Sequence, residues 1–158
     1  MSAFETTVTE VAGVRRGGVA AAAVEHRAGI FEMTQAAEDA VLRPKVTGAV
    51  FSHELRAALA ARIARLSGDD VLADRHLARA GAQAPLADPS SRDDGAVPML
   101  AFVDKVANTT RDITIEDTSS LRSAGMADAD IVRLCGIIAF MSYQIRVIAG
   151  LRLLLADA

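Results

Sequence analysis

His76 is the histidine whose setting suggests chemistry, because Asp69, Asp70 and Asp74 lie just before it. A helix through this stretch puts Asp69, Leu72 and His76 on one face and Asp70 and Asp74 on another. A metal site would need a ligand one turn before His76, and Leu72 occupies that position. The aspartates therefore read as helix-start and solvated charges, and no metal or other cofactor is expected. His76 itself has two readings. It is a general acid/base in a helix-lined pocket with Asp69 or Glu54 nearby, or it is hydrogen-bonded in the core or at a subunit contact. Glu54, beside His53, also fits a surface helix start.

Arg62 and Arg146 fall on apolar helical seams, where a guanidinium needs a carboxylate partner or a ligand anion. The sole cysteine, Cys135, lies among Leu134, Ile137 and Ile138, which predicts a buried, inert thiol. A single cysteine cannot close an intramolecular disulfide, so a reducing, cytoplasmic setting is expected.

These residues are carried on helices. Ile30, Met33, Ala37, Ala40 and Val41 follow helical spacing over Ile30–Leu42, and Pro44 stops the run. Leu55, Leu59, Ile63 and Leu66 mark an amphipathic helix from Val50, with Ser52 as a candidate N-cap. Ser67-Gly68 breaks it. Asp69 or Ser67 caps the next helix, which runs to about Ala80, with Gly81 just past its end. Residues 82–95 read as a solvent loop. Pro98 suits the first turn of a helix through Val106. Thr114-x-x-Asp117 resembles a capping box opening a short helix that ends at Gly125. Ile131, Leu134, Ile138, Met141, Ile145 and Ile148 then form the seam of a long helix from Asp128 to about Leu155. Residues 1–28 show no clear period and read as an irregular arm, leaving 29–158 as a single helical domain.

Bulk properties agree with an all-α globular chain. The 158 residues are 51% hydrophobic, 23% charged and 4% aromatic, enough to build one core. A net charge of −3 with dispersed basic residues gives no nucleic-acid footprint. Val19–Val24 lacks the pattern of a secretory leader, and the apolar stretch 131–155 contains Arg133, Gln144, Arg146 and Arg152, which argues against a membrane span.

Two segments carry a family resemblance. Phe51–Ala80 reads FSHELRAALAARIARLSGDDVLADRHLARA, and Ile113–Leu151 ends in a long helix with Phe140, Tyr143, Arg146, Gly150 and Leu151. Together they resemble the alkylhydroperoxidase D/carboxymuconolactone decarboxylase family, in its peroxidase-related branch. In that family a Leu-, Ala- and Arg-rich helix runs into a Cys-x-x-Cys that opens the next helix, with a His four residues later. Here the two cysteine positions fall at Asp69 and Leu72, and the His at His76. The family's glutamate falls near Ala57, one turn from Glu54.

The resemblance implies a fold of about six helices assembled as a homo-oligomer (dimer, trimer or hexamer). It also implies a reduced chemistry. A thiol peroxidase needs a thiolate at a helix N-terminus and a resolving cysteine, and neither is present. The first expectation is a non-peroxidase helical oligomer that can hold a small molecule. The second is a proton-transfer enzyme of the carboxymuconolactone decarboxylase kind, with His76 as base or acid and Arg62 or Arg146 anchoring a substrate carboxylate. The third is an accessory protein of an oxidoreductase system, docking through residues 1–28.

Overall fold

A computed structural model describes residues 2–46, 50–93 and 95–156. Among these the chain is all-helical. Its α-helices are α1 (Thr7–Ala12), α2 (Ala21–His26), α3 (Ala28–Leu42), α4 (His53–Leu66), α5 (Asp70–Leu77), α6 (Val97–Thr109), α7 (Ile115–Ser123) and α8 (Asp128–Ala156). Short 3-10 segments cover Ala3–Glu5, Gly81–Ala87 and Thr110–Asp112.

Helix α4 is the centre of the molecule. The spacing predicted a one-sided Leu stripe, yet every residue from Arg56 to Ala64 is buried. Alanines at 57, 58, 60, 61 and 64 are the reason. Small side chains let neighbours approach on every side. Helices α3, α5, α6, α8 and the 3-10 segment after α5 all pack on α4.

The local signals decide where the helices begin and end. Ser52 Oγ accepts the Leu55 N–H at 3.1 Å, and Asp69 Oδ1 accepts the Leu72 N–H at 3.1 Å. Gly68 turns the chain between them with φ +75°, a conformation costly for any residue with a Cβ. The Thr114 N–H donates to Asp117 Oδ2 at 2.7 Å, as a capping box requires. Helix α8 buries Ile131, Leu134, Ile138, Met141 and Ile148 along its seam. It is long and apolar enough to cross a membrane by length and composition, but 44% of its most apolar window is buried inside the protein.

Three stretches depart from their sequence pattern. Where an irregular arm was expected, α1 and α2 bury Val8, Val11, Ala12, Ala21 and Val24, and α1 packs on α8. Short runs of threonine and alanine hide such helices because no period has room to repeat. Residues 82–87, expected as solvent loop, continue the 3-10 turn and bury Leu86 and Ala87.

The third departure is a reversed helix. Of the residues whose spacing marked this helix, Ile30 and Met33 are 47% and 66% exposed, and Ala37 and Ala40 are exposed too. Thr34, Gln35, Glu38 and Leu42 point inward instead. Each inward polar group has a partner. Thr34 Oγ1 and Tyr143 OH are 2.9 Å apart, Gln35 Oε1 accepts the Thr7 N–H at 2.8 Å, and Glu38 Oε2 accepts from Gln144 Nε2 at 2.6 Å. Paired polar groups are tolerated in a core; unpaired ones are not.

Candidate functional site

Three helices bring His76, Glu38 and Gln144 together. His76 sits at the end of α5, Glu38 on the inner face of α3, and Gln144 in mid-α8. They are 1%, 1% and 0% exposed. Gln144 binds Glu38, and Arg43 Nη1 reaches Glu38 Oε1 at 3.3 Å. In this cluster His76 Nε2 and Gln144 Oε1 are buried without a hydrogen-bond partner among the described residues. They are complementary, because a neutral imidazole protonated at Nε2 is a donor and Oε1 an acceptor.

Burial pushes the His76 pKa down to about 4, the desolvation of the imidazolium being the largest cause. Glu38 and Gln144 oppose that shift, while Arg79 and Arg75 reinforce it. At neutral pH His76 is therefore uncharged. At 1% exposure the ring is closed off from solvent.

The other residues singled out from the sequence lie elsewhere. Asp69 caps α5, and its carboxylate takes two bonds from Arg152, at 2.9 Å and 3.1 Å. Arg152 also reaches the Val11 carbonyl at 3.3 Å, so this ion pair fastens the start of α5 to α1 and α8. Leu72 is fully buried beside it. Glu54 is exposed, with its carboxylate lying over Gly81 in contact that leaves no space for a Cβ there.

Arg62 is wholly buried. It donates through Nε and Nη2 to the two oxygens of Asp104, both at 2.6 Å, and through Nη1 and Nη2 to the carbonyls of Leu86, Asp88 and Pro89. A guanidinium has five N–H groups, and these five bonds engage all of them. Arg146 is exposed and donates to the Ser142 carbonyl at 3.1 Å. Neither arginine stands with His76.

Cys135 is exposed, not buried as its neighbours in sequence suggested. Leu134, Ile137 and Ile138 turn inward around it, and the cysteine takes the outer side of α8. Partial shielding of the sulfur raises its pKa, which keeps it a protonated, weakly nucleophilic thiol. Among the described residues no three His, Cys, Asp or Glu side chains form a metal-holding group.

Sequence reasoning missed Glu38, Gln144 and Arg56. Gln144 had a signal: it falls in the register of the α8 seam, three residues after Met141 and four before Ile148. A polar residue in an apolar seam needs a buried partner. Glu38 had none, since it becomes interior only because α3 is reversed. Comparison with protein-family models, with curated proteins and with solved structures gives no match for this chain.

Proposed function

We propose that this chain is a helical, non-peroxidase protein of the alkylhydroperoxidase D-like kind that works by self-association, with no thiol relay. The observation that carries the reading is the reversed helix α3. Its outward face presents Ile30, Met33 and Ala37, and these border a shallow apolar groove with Phe140 and Tyr143 of α8. Exposed Ala139 lies one turn before Tyr143 on the same side of α8. Monomeric proteins seldom leave a contiguous apolar face of this kind in water.

A second copy is the occupant that fits this surface. Helix α8 has 29 residues and so spans about 43 Å. Its exposed side carries small residues, Cys135, Ala139 and Ala149, that let another helix approach closely. A symmetric pair buries the same face on both partners at once.

Thiol peroxidase chemistry has no footing at the two family cysteine positions, because Asp69 is bound to Arg152 and Leu72 is core. A proton-transfer enzyme needs its base within hydrogen-bond reach of the substrate, and His76 is sealed.

The test is the solution mass by light scattering after gel filtration. The wild type is expected well above the single-chain 16.6 kDa. Met33→Glu and Ala139→Glu, each placing a carboxylate on the exposed face, are expected to return the mass to one chain. A wild type that stays monomeric at ~100 μM ends the reading. So does turnover of an organic hydroperoxide with a thiol reductant that disappears in Cys135→Ser.

A further inference from the structure

Arg56 is a buried cation to which no carboxylate is bonded among the described residues. It is 6% exposed and stands in the first turn of α4. Its Nε donates to the Phe51 carbonyl at 3.2 Å and its Nη1 to the Val41 carbonyl at 2.7 Å. The guanidinium also lies over the Phe51 ring, 5.6 Å from the centroid. Its third nitrogen, Nη2, has no partner among the described residues. A helix N-terminus carries partial positive charge, which makes this a poor place for an uncompensated cation.

Arg56 lines an open cleft of about 420 Å³ between α3, α4 and α8. Arg133 stands across it, and Ala40, Val41 and Pro44 form an apolar wall. The acid whose charge acts on Arg56 is Asp130, and Arg133 already holds it at 2.7 Å. Two guanidiniums facing one carboxylate leave the cleft with one net positive charge, in a chain whose total is −3. Desolvation and the neighbouring Arg133 both lower the Arg56 pKa, yet an arginine stays charged in water at any ordinary pH. The free energy of that arrangement falls when an anion enters.

We propose that this cleft is a binding site for a compact organic monocarboxylate, its carboxylate between Arg56 and Arg133 and its apolar body against Ala40, Val41 and Pro44. One negative charge matches the one unbalanced positive charge. A planar carboxylate suits the donor fork of a guanidinium. The volume lies at the lower end of the range for small-molecule sites. The cleft adjoins the face proposed for self-association, since Ala40 and Gly136 are exposed on α3 and α8, and its test reads binding heat while that of self-association reads mass.

Calorimetric titration with benzoate and hexanoate tests it, with benzamide as the uncharged control. Both acids are expected to bind saturably, and benzamide at least about tenfold more weakly, the effect of losing charge-assisted hydrogen bonds. Arg56 also holds two backbone carbonyls, so its removal could unfold the chain. Arg133→Gln and Gly136→Leu avoid that difficulty. Arg133→Gln is expected to weaken benzoate about tenfold. Gly136 lines the cleft, and a Cβ there meets nothing within 4 Å. A leucine at 136 projects into the cleft while favouring the helix, and is expected to abolish benzoate binding with helix content unchanged. The proposal is overturned if neither acid gives saturable heat up to ~10 mM, if benzamide binds as well as benzoate, or if Gly136→Leu binds benzoate like the wild type.

Discussion

Arg62→Ala is expected to lower the unfolding free energy by about 3–5 kcal/mol, the range for breaking a buried charge network from one side. Arg62 ties Asp104 on α6 and the carbonyls of Leu86, Asp88 and Pro89 to the central helix. Without it, buried carbonyls lose their donors and Asp104, 28% exposed at its side chain, loses its cation. Arg62→Lys is expected to recover little, because an ammonium cannot reach five acceptors spread around a planar fork. Asp104→Asn is expected to be milder, since the partly exposed position allows water to replace part of the bond. Urea unfolding followed by circular dichroism gives all three values. A loss below about 1 kcal/mol in Arg62→Ala would mean that the network is ornamental, and that 82–95 is held by its own turns.

The second large effect is a pH dependence from His76. Its pKa falls from 6.5 in the unfolded chain to about 4 in the folded one. Above pH 6.5 the ring is neutral in both states, and this contribution to stability is complete. Between 6.5 and 4 the unfolded chain takes up the proton and the folded chain does not, so stability falls as pH falls. Holding one proton off the folded chain costs about 1.4 kcal/mol for each pH unit below 6.5, which makes the loss about 2 kcal/mol by pH 5 and about 3 kcal/mol by pH 4.

The window from pH 7 to 5 separates the His76 contribution from that of three carboxylates. Asp88, Glu116 and Asp117 have pKa values below the ordinary carboxylate range. They lose their stabilising charge only as the solution becomes more acid still. His76→Gln keeps a polar group beside Gln144 and removes the titration. Its unfolding free energy should fall less steeply over this window than that of the wild type, by the His76 contribution. Parallel slopes in the two proteins would show that the acid sensitivity comes from other groups.

Much of the helical scaffold was legible in sequence because its signals are local. Ser52, Asp69 and Asp117 act within four residues of themselves, and Gly68 meets a backbone requirement at its own position. The seam of α8 was legible because 29 residues give a period room to repeat. Site residues were harder. The spacing marked His76, Arg62 and Asp69 as residues needing explanation, but their partners come from distant helices. Glu38 and Gln144 are 106 residues apart, Asp69 and Arg152 are 83 apart, and Arg62 and Asp104 are 42 apart.

Composition, helix periods and capping residues thus determined that the chain is all-α and where most helices start and stop. They also determined that no cysteine pair stands at the position the family resemblance assigns to one. Tertiary structure alone decided which face of α3 turns inward, that α4 is enclosed on every side, that His76 is sealed with Glu38 and Gln144, and that Arg56 faces a cleft whose neighbouring acid, Asp130, is held by Arg133. The reason is physical. Periodicity reports that a helix has an apolar side, while the side that is buried depends on which distant polar groups find partners. Pairing Thr34, Gln35 and Glu38 removes the cost of burying them, and it leaves Ile30 and Met33 on the outside.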